Sequence, residues 1–333
     1  MKNKIRWGLL STARINNALI GPIKEAGRSE LAGVASRNAE KAKAYAAEKG
    51  IPRFYGSYDE MLADPEIDAI YNSLPNTLHC EWTVKAAEAG KHVLCEKPIT
   101  VSLEDFDRIE AAAKKNEVTI FEAFMYLHHP QTRKVQRLIA DGKIGRVQLI
   151  DTWFNFHLPP ENSKNIRLNQ SLSGGAHWDV GVYTNSMAIT MAGAGAPVQV
   201  FAHQIRGETG VDVAMRVQLV FSNGVAAQIS SGFRTPPRAA AFIVGDAGIL
   251  EITEPWKPGA DGELSKVIFT GLDGEVETIT FDPVNPYLCE VEAMESCVLD
   301  GAAPVVPLEQ SREFLKSILA TYESARTGSV VSI

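Results

Sequence analysis

Residues 5–16 read IRWGLLSTARIN, and they begin the pattern that decides the fold. Ile5–Leu10 is a short apolar run typical of a buried strand, and the small residues after it lead into a helical segment. Short apolar strands and helices of about 10–15 residues then alternate as far as residue 123. This alternation predicts βαβ units and therefore a parallel sheet.

The segments after residue 123 follow a different pattern. About seven strand-like runs succeed one another between residues 198 and 281, and helical patterns precede and follow them. Successive short strands separated by turn signals favour an antiparallel or mixed sheet with helices on one face. We therefore predict an α/β protein, with a doubly wound parallel sheet over residues 1–123 and a second α/β domain over residues 124–333 that contains a large, open, mostly antiparallel sheet.

The composition excludes several classes of protein. Of the 333 residues, 45% are hydrophobic and 22% are charged, which excludes a disordered or coiled-coil chain. The net charge of -7 argues against a nucleic-acid-binding surface. The start of the chain has no signal-peptide pattern, the apolar runs fall short of the ~20 residues that span a membrane, and the cysteines lack C-x-x-C spacing. We therefore expect a cytoplasmic protein with reduced thiols and neither a membrane nor a nucleic-acid partner.

The turn after the first strand is a candidate dinucleotide site. Such turns usually read G-x-G-x-x-G, and this chain has Ser11, Ala13 and Asn16 at the three glycine places. Ser and Ala are the smallest side chains after Gly, and the turn still presents backbone N–H groups at a helix N-terminus, which favours an anion. An ordinary β–α turn is the alternative, and this segment alone leaves both open.

The end of the second strand bears on the choice of cofactor. An NAD site usually has Asp or Glu here to hold the ribose 2′-OH, whereas this strand ends in Ser36 and Arg37, with no carboxylate before Glu40. A hydroxyl and a guanidinium suit a 2′-phosphate, and Lys41, one helical turn further on, adds positive charge. The segment favours NADP over NAD, and the alternative is a solvated arginine at a helix start.

Polar residues that can act in catalysis lie directly after a later strand and within a later helix. Lys97 follows the strand at 92–95, where its ammonium can polarise a carbonyl or stabilise an alkoxide. Asp179 and Tyr183 are four residues apart, so a helix places them on one face. Tyrosine can act as a general acid–base when a nearby cation lowers its pKa from about 10. The alternatives are a surface lysine, and a core tyrosine beside a capping aspartate.

Motifs spread over nearly the whole chain carry a family resemblance. They are WGLLSTA at 7–13, PN with His79 at 75–79, AGKHVLCEKP at 89–98, EAFMY at 122–126, NIRL at 165–168, GGA-x-WD-x-G-x-Y at 174–183 and NPY at 285–287. Together they resemble the glucose–fructose oxidoreductase/inositol dehydrogenase (Gfo/Idh/MocA) family. The resemblance implies an N-terminal Rossmann dinucleotide-binding domain, a C-terminal domain for substrate binding and oligomerisation, and NAD(P)-dependent redox chemistry on a sugar-like alcohol or carbonyl.

The resemblance also implies which residues act. Lys97 matches the family's catalytic lysine, and the peptide before Pro98 matches its cis bond. With the positions identified above, the candidate cofactor-binding residues are Ser11, Thr12, Ala13, Arg14, Ile15, Ser36, Arg37, Lys41, Ser73, Leu74, Pro75, Asn76, His79, Glu96, Lys97, Met125, Ile166, Arg167 and Tyr287.

Tyr183 stands where many family members have His. In this respect the chain resembles the subgroup that contains NADP-dependent D-xylose dehydrogenases and dimeric dihydrodiol dehydrogenases. We therefore predict an NADP-dependent oxidoreductase acting on a pyranose, an anhydro-sugar or a cyclic diol, and a homodimer formed through the C-terminal sheet. The sequence does not name the sugar or the preferred direction.

The predicted roles of the site residues follow from this chemistry. Tyr183 would take the proton of the substrate hydroxyl, while Lys97 would lower the pKa of that tyrosine and hold the developing oxyanion. Asp179 would bind a neighbouring hydroxyl or orient the site. Phe156 and Tyr126 would form walls for the substrate ring. The seven histidines show no H-x-x-x-H pairing, and the chemistry needs no metal.

Two other functions stay open at the level of sequence. One is a catalytically silent protein that senses NADP, against which the presence of both Lys97 and Tyr183 speaks. The other is a glycosidase or lyase that uses bound nicotinamide without net redox. Net oxidation or reduction of added cofactor distinguishes this second alternative from a dehydrogenase.

Overall fold

The computed structural model describes residues 3–162 and 164–333 of the chain. They form two compact units, and each unit is made of two segments of the chain. The first comprises Met1–His128 and Asn285–Ser311, and the second comprises His129–Val284 and Arg312–Ile333.

The first unit contains the predicted parallel sheet. Its strands are β1 (Ile5–Leu10), β2 (Ser29–Ala35), β3 (Arg53–Tyr55), β4 (Ala69–Asn72), β5 (His92–Cys95) and β6 (Ile120–Glu122). They lie in the order β3-β2-β1-β4-β5-β6, and every neighbouring pair is parallel. The order reverses at β1, as in a doubly wound sheet, so the doubly wound prediction is confirmed.

Helices alternate with these strands, and three of them begin at a residue whose side chain caps the helix. They are α1 (Asn16–Glu25), α2 (Ala39–Lys49), α3 (Tyr58–Ala63), α4 (His79–Glu88), α5 (Leu103–Asn116) and α6 (Met125–His128). The side chains of Asn38, Ser57 and Ser102 each accept a backbone N–H in the first turn of α2, α3 and α5. Gly50 ends α2 with φ 62°. The sequence did not predict β3, which is only three residues long and mostly exposed.

The second unit contains the large open sheet. Its strands are β7 (Val147–His157), β8 (Gln199–Arg206), β9 (Asp212–Val220), β10 (Ala226–Gly232), β11 (Arg234–Gly245), β12 (Gly248–Ile252), β13 (Ser265–Gly271), β14 (Val276–Phe281) and β15 (Val331–Ser332). They lie in the order β14-β13-β12-β11-β7-β10-β9-β8-β15. The β7–β10 pair is parallel and the other pairs are antiparallel, which confirms a mostly antiparallel sheet.

One face of this sheet is covered by helices and the other is open. The helices of the second unit include α7 (Pro130–Ala140) and α8 (Val182–Ala192), and α8 packs on β7 and β10. Along β8, Val200 and Ala202 are buried, while Phe201 alternates with them and is 42% exposed. The open face is therefore partly apolar.

The two compact units do not coincide with the continuous domains expected from sequence, which are 1–123 and 124–333. Helix α9 (Pro286–Asp300) packs on α1 and α6, which explains why Asn285–Ser311 belongs to the first unit. Helix α10 (Leu308–Thr327) contains the return to the second unit. Within the described ranges, no helix has both the length and the apolar character needed to cross a membrane.

Candidate active site

The turn between β1 and α1 keeps the form of a dinucleotide turn without glycine. Ser11, at the first glycine place, has φ 110°, a conformation that favours glycine. Its hydroxyl accepts the N–H of Ala13 at 3.1 Å and is bonded to the Ser73 hydroxyl at 3.0 Å. Asn16, at the third place, is fully buried and donates to the Ser11 carbonyl at 2.8 Å. These bonds hold the turn that also contains Thr12, Arg14 and Ile15.

Two exposed cations lie at the end of β2. The Ser36 side chain is mostly buried and its hydroxyl accepts the N–H of Asn38 at 3.3 Å. Arg37 is exposed, close enough to the Tyr58 hydroxyl to oppose the rise in pKa that burial causes in that tyrosine. Lys41 is exposed in the first turn of α2. The arrangement is suited to a phosphate group, because it offers a guanidinium and an ammonium with little burial.

The segment after β4 contains Ser73, Leu74, Pro75 and Asn76, and His79 ties it to the neighbouring strand end. The His79 ring lies between two carbonyl oxygens, with Nδ1 2.7 Å from Pro98 O and Nε2 2.7 Å from Leu74 O. The ring is buried, and burial lowers its pKa. Both ring nitrogens face main-chain oxygens, so His79 links the segments that carry Leu74 and Pro98, a role that the motif alone did not indicate.

The segment after β5 carries Glu96, Lys97 and Pro98. The Lys97–Pro98 peptide is cis, as the resemblance implies. The Tyr71 hydroxyl donates a short hydrogen bond to Glu96 Oε1, and the Glu96 N–H donates to Asn72 O at 3.0 Å. These bonds anchor the residue that immediately precedes Lys97.

The remaining candidates of the first unit are largely buried. Met125 and Tyr126 lie in α6 and are 1% and 0% exposed, and the Tyr126 ring packs edge-on against Phe124. Tyr126 thus has no exposed surface with which to contact a substrate, contrary to its expected role as a wall. Tyr287 begins α9, where Asn285 Oδ1 accepts its N–H, and burial followed by the charges of Glu96 and Glu290 raises its pKa.

In the second unit, Tyr183 lies in an aromatic cluster that the sequence did not predict. Its ring is 5.6 Å from that of Phe154 and 5.9 Å from that of Trp256, both in edge-on geometry. Phe154 and Trp256 stack at 5.5 Å and 10°, and the Trp256 indole donates to Trp153 O. The cluster fixes the plane of the phenol ring. Phe156, another expected wall, is partly buried and packs on Phe233 beside the hydrophobic core.

Asp179 forms an ion pair with Arg167. Arg167 Nε donates to Asp179 Oδ2 at 2.6 Å, and the aspartate side chain is 14% exposed. The neighbouring Gly174 permits this approach, because a Cβ there would lie 2.6 Å from the Arg167 carbonyl oxygen. Arg167 thus meets Asp179 within the second unit, whereas Ile166 beside it is 53% exposed.

The segment that carries Asp179 and Tyr183 is a π-turn, His177–Gly181, that continues into α8. Its start is anchored by Asp212, whose carboxylate accepts the His177 N–H and the Tyr322 hydroxyl, both at 2.8 Å. The His177 side chain is buried, and burial lowers its pKa to about 3. His177 is therefore not suited to proton transfer at neutral pH.

We expect the hydrogen bonds of Asp212 to contribute to the stability of the protein. Asp212→Ala removes the acceptor of a buried N–H and hydroxyl, so it should lower the free energy of unfolding by about 2–3 kcal/mol. Tyr322→Phe leaves the carboxylate its backbone donor and should cost about 1 kcal/mol. Denaturant unfolding measures both. Equal stability of Asp212→Ala and the wild type would show that the anchor contributes nothing.

The doubly wound sheet and the turn of small residues after its first strand are typical of an oxidoreductase of the nicotinamide-nucleotide class. Two family models match the chain: "Oxidoreductase family, NAD-binding Rossmann fold" over residues 5–124, and "GFO/IDH/MocA C-terminal domain" over residues 132–251. The chain belongs to the Gfo/Idh/MocA oxidoreductase family.

Similar proteins extend over almost the whole chain. It is 38% identical to a D-xylose 1-dehydrogenase (NADP(+)) of Haloferax volcanii, over 98% of this chain and 99% of that protein. It is 30% identical to a trans-1,2-dihydrobenzene-1,2-diol dehydrogenase of Xenopus laevis, over 94% and 96%. It is also similar to KijD10, a 3-ketoreductase of Actinomadura kijaniata solved with NADP and TDP-benzene, with a TM-score of 0.86, 29% identity and coverage of 98% of both chains.

Proposed function

We propose that the chain is an NADP(H)-dependent dehydrogenase or reductase that acts on the CH–OH group of a sugar-like substrate. The carrying observation is that Asp179, which forms an ion pair with Arg167, and Tyr183 lie four residues apart on one π-turn and the helix that continues it. The similar D-xylose and dihydrodiol dehydrogenases support a pyranose or cyclic diol. An absorbance screen at the reduced-nicotinamide band, with NADP and NAD against aldoses, anhydro-sugars and cyclic diols, tests the proposal.

The residues of the first unit fit a nicotinamide dinucleotide. The Ser11 turn supplies a cradle of small side chains and backbone N–H groups at the start of the ten-residue helix α1. Ser36 and Arg37 stand where NAD sites usually have an acid, which favours a 2′-phosphate. When bound, NADP supplies the hydride acceptor or donor of the reaction.

The proposed mechanism uses two catalytic residues, Lys97 and Tyr183. In the oxidative direction, Tyr183 accepts the proton of the substrate hydroxyl, and Lys97 holds the oxygen as negative charge develops. Asp179, paired with Arg167, orients the site or receives a neighbouring hydroxyl. Phe154 and Trp256 keep the Tyr183 ring in one orientation, so that the proton is taken from a defined direction.

We propose further that residues 1–123 bind the cofactor, that residues 124–333 bind substrate, and that two copies associate through the open sheet face. The apolar side chains exposed on that face are those of Phe201, Ile205 and Val220. Their exposure supports association, because burial of apolar side chains between two copies stabilises a dimer. Sedimentation of the purified protein tests this. The four cysteines are free thiols, which supports a cytoplasmic location.

We expect NADP to bind more tightly than NAD by about 1–3 kcal/mol, because a charge-assisted bond to the 2′-phosphate is made only with NADP. Arg37→Ala should remove most of this difference while leaving NAD binding unchanged. Lys43→Ala, which removes an exposed lysine of the helix that follows Arg37, is the matched control. Titration calorimetry measures all affinities, and equal binding of the two cofactors by the wild type would contradict the proposal.

A further inference from the structure

Glu122 is a buried acid for which the proposed mechanism has no role. It belongs to the EAFMY motif and ends β6, where it pairs with Cys95 at the end of β5. Its side chain is among the buried charged groups, at 4% exposure. An ionisable carboxyl is rarely buried without a compensating partner, so its surroundings require an explanation.

The first observation is a hydrogen bond to the segment that carries Lys97. Glu122 Oε1 accepts the N–H of Ile99 at 3.0 Å, and Ile99 follows Lys97 by two residues. The bond therefore fixes the far end of the Lys97-Pro98-Ile99 turn. The bond from the Glu96 N–H to Asn72 O holds the near end. Both ends of the turn are thus tied to the parallel sheet.

The second observation concerns the other carboxyl oxygen. Among the described residues, Glu122 Oε2 is buried and has no hydrogen-bond partner, and the same is true of the Ser311 hydroxyl oxygen. Ser311 nevertheless lies beside the carboxyl and favours its charged form. Because Oε2 is left without an aligned donor, the carboxyl has a free oxygen that can carry a proton.

The electrostatic surroundings make this carboxyl sensitive to neutral pH. Burial raises the pKa of Glu122 to about 7. The Ile99 N–H and the Lys97 ammonium lower that pKa, while the charge of Glu96 raises it. Glu122 also interacts with the thiol of Cys95, and burial keeps that thiol protonated by raising its pKa.

We propose that Glu122 is a positioning residue for Lys97: its hydrogen bond to Ile99 holds the Lys97 turn, and the charge of its carboxyl acts on the Lys97 ammonium. The proposal rests on the proposed function, in which Lys97 holds the developing oxyanion. When Glu122 is protonated, the field of Lys97 acts undiminished on the substrate oxygen. When Glu122 is ionised, its charge offsets part of that field.

The kinetic test compares Glu122→Gln with the wild type between pH 6 and pH 8.5. The amide keeps an acceptor for the Ile99 N–H but cannot ionise. We expect the two proteins to have equal kcat at pH 6, and the variant to be faster by about threefold above pH 8. If the ratio of the variant kcat to the wild-type kcat has the same value at every pH, the proposal is overturned, because a purely structural role gives a constant ratio.

Glu290→Gln is the matched control. Glu290 is another fully buried acid of the first unit, burial raises its pKa, and its Oε1 has no hydrogen-bond partner in the described parts of the chain. The charge of Glu290 interacts with that of Glu96, but among the described residues Glu290 makes no hydrogen bond to the Lys97-Pro98-Ile99 turn. We expect its kcat ratio to the wild type to stay constant over the same pH range, and a pH-dependent ratio equal to that of Glu122→Gln would count against a specific role of Glu122.

A second readout needs no substrate and so separates this proposal from the proposed function. In protein with ¹³C-dimethylated lysines, the NMR signal of Lys97, assigned with Lys97→Arg, should shift through a transition near pH 7. We expect the transition to persist in Glu290→Gln and to disappear in Glu122→Gln. Its absence from the wild type would overturn the role of Glu122 even if that variant failed to fold. Lack of turnover with every sugar and diol would instead overturn the proposed function alone.

Discussion

Lys97→Ala is expected to lower kcat by a factor of about 100 or more, as is usual when a preorganised oxyanion stabiliser is removed. Lys97 follows β5 in a turn held at both ends by Asn72 and Glu122. The substitution should therefore leave the backbone of this turn in place while it removes the charged side chain. Steady-state kinetics with the substrate found in the screen measures the effect.

The controls for Lys97→Ala separate catalysis from binding and folding. The affinity for NADP, measured by titration calorimetry, should stay within a few-fold of the wild type because most proposed cofactor contacts lie elsewhere. Lys85→Ala removes an exposed lysine of α4 that pairs with Glu81, and it should retain full turnover. Near-normal kcat in Lys97→Ala would remove this lysine from the mechanism.

Tyr183→Phe is expected to abolish most of the activity while leaving the fold intact. The substitution removes one oxygen, and the ring keeps its contacts with Phe154 and Trp256. Circular dichroism and denaturant unfolding should therefore match the wild type, whereas kcat should fall by about 100-fold or more, as expected for loss of a general base. Tyr55→Phe, which removes a hydroxyl of β3 that donates to Asp64, is the matched control and should be active.

Tyr183→His gives a more specific test of the same residue. Many family members have His at this position, and imidazole has a lower ordinary pKa than phenol. We expect partial activity whose rise with pH is moved towards the range of histidine. Full activity in Tyr183→Phe would show that Tyr183 is a core residue and that the proton leaves by another route.

Much of the fold could be predicted from local signals in the sequence. The caps at Asn38, Ser57 and Ser102 and the αL residue Gly50 mark helix ends because a helix terminus is satisfied by residues within one turn of it. The alternation of strands and helices was sufficient for a parallel sheet, since a parallel pair requires a crossover. Strand β3 was missed because three mostly exposed residues carry no apolar period.

The site could be predicted only as far as its motifs extend. Lys97 and Tyr183 were found because each belongs to a motif, and they remain predicted catalytic residues. Tyr126 was expected to be a wall for the substrate because it is aromatic and lies in a motif, but side-chain type does not reveal burial. Its 0% exposure is a property of the packing around it.

The sequence by itself determined the two-part α/β organisation, and it predicted the candidate residues, among them Ser36 and Arg37 for a 2′-phosphate. Only the tertiary structure decided which side chains support them. Trp256 packs on Tyr183 in α8. Asp212 accepts a hydrogen bond from Tyr322, which lies 110 residues further along the chain. Glu122 contacts the Lys97 turn through the pairing of β6 with β5. Such contacts depend on strand order and helix packing, which join distant segments without any local pattern, because burial and hydrogen bonding act through space and not along the sequence.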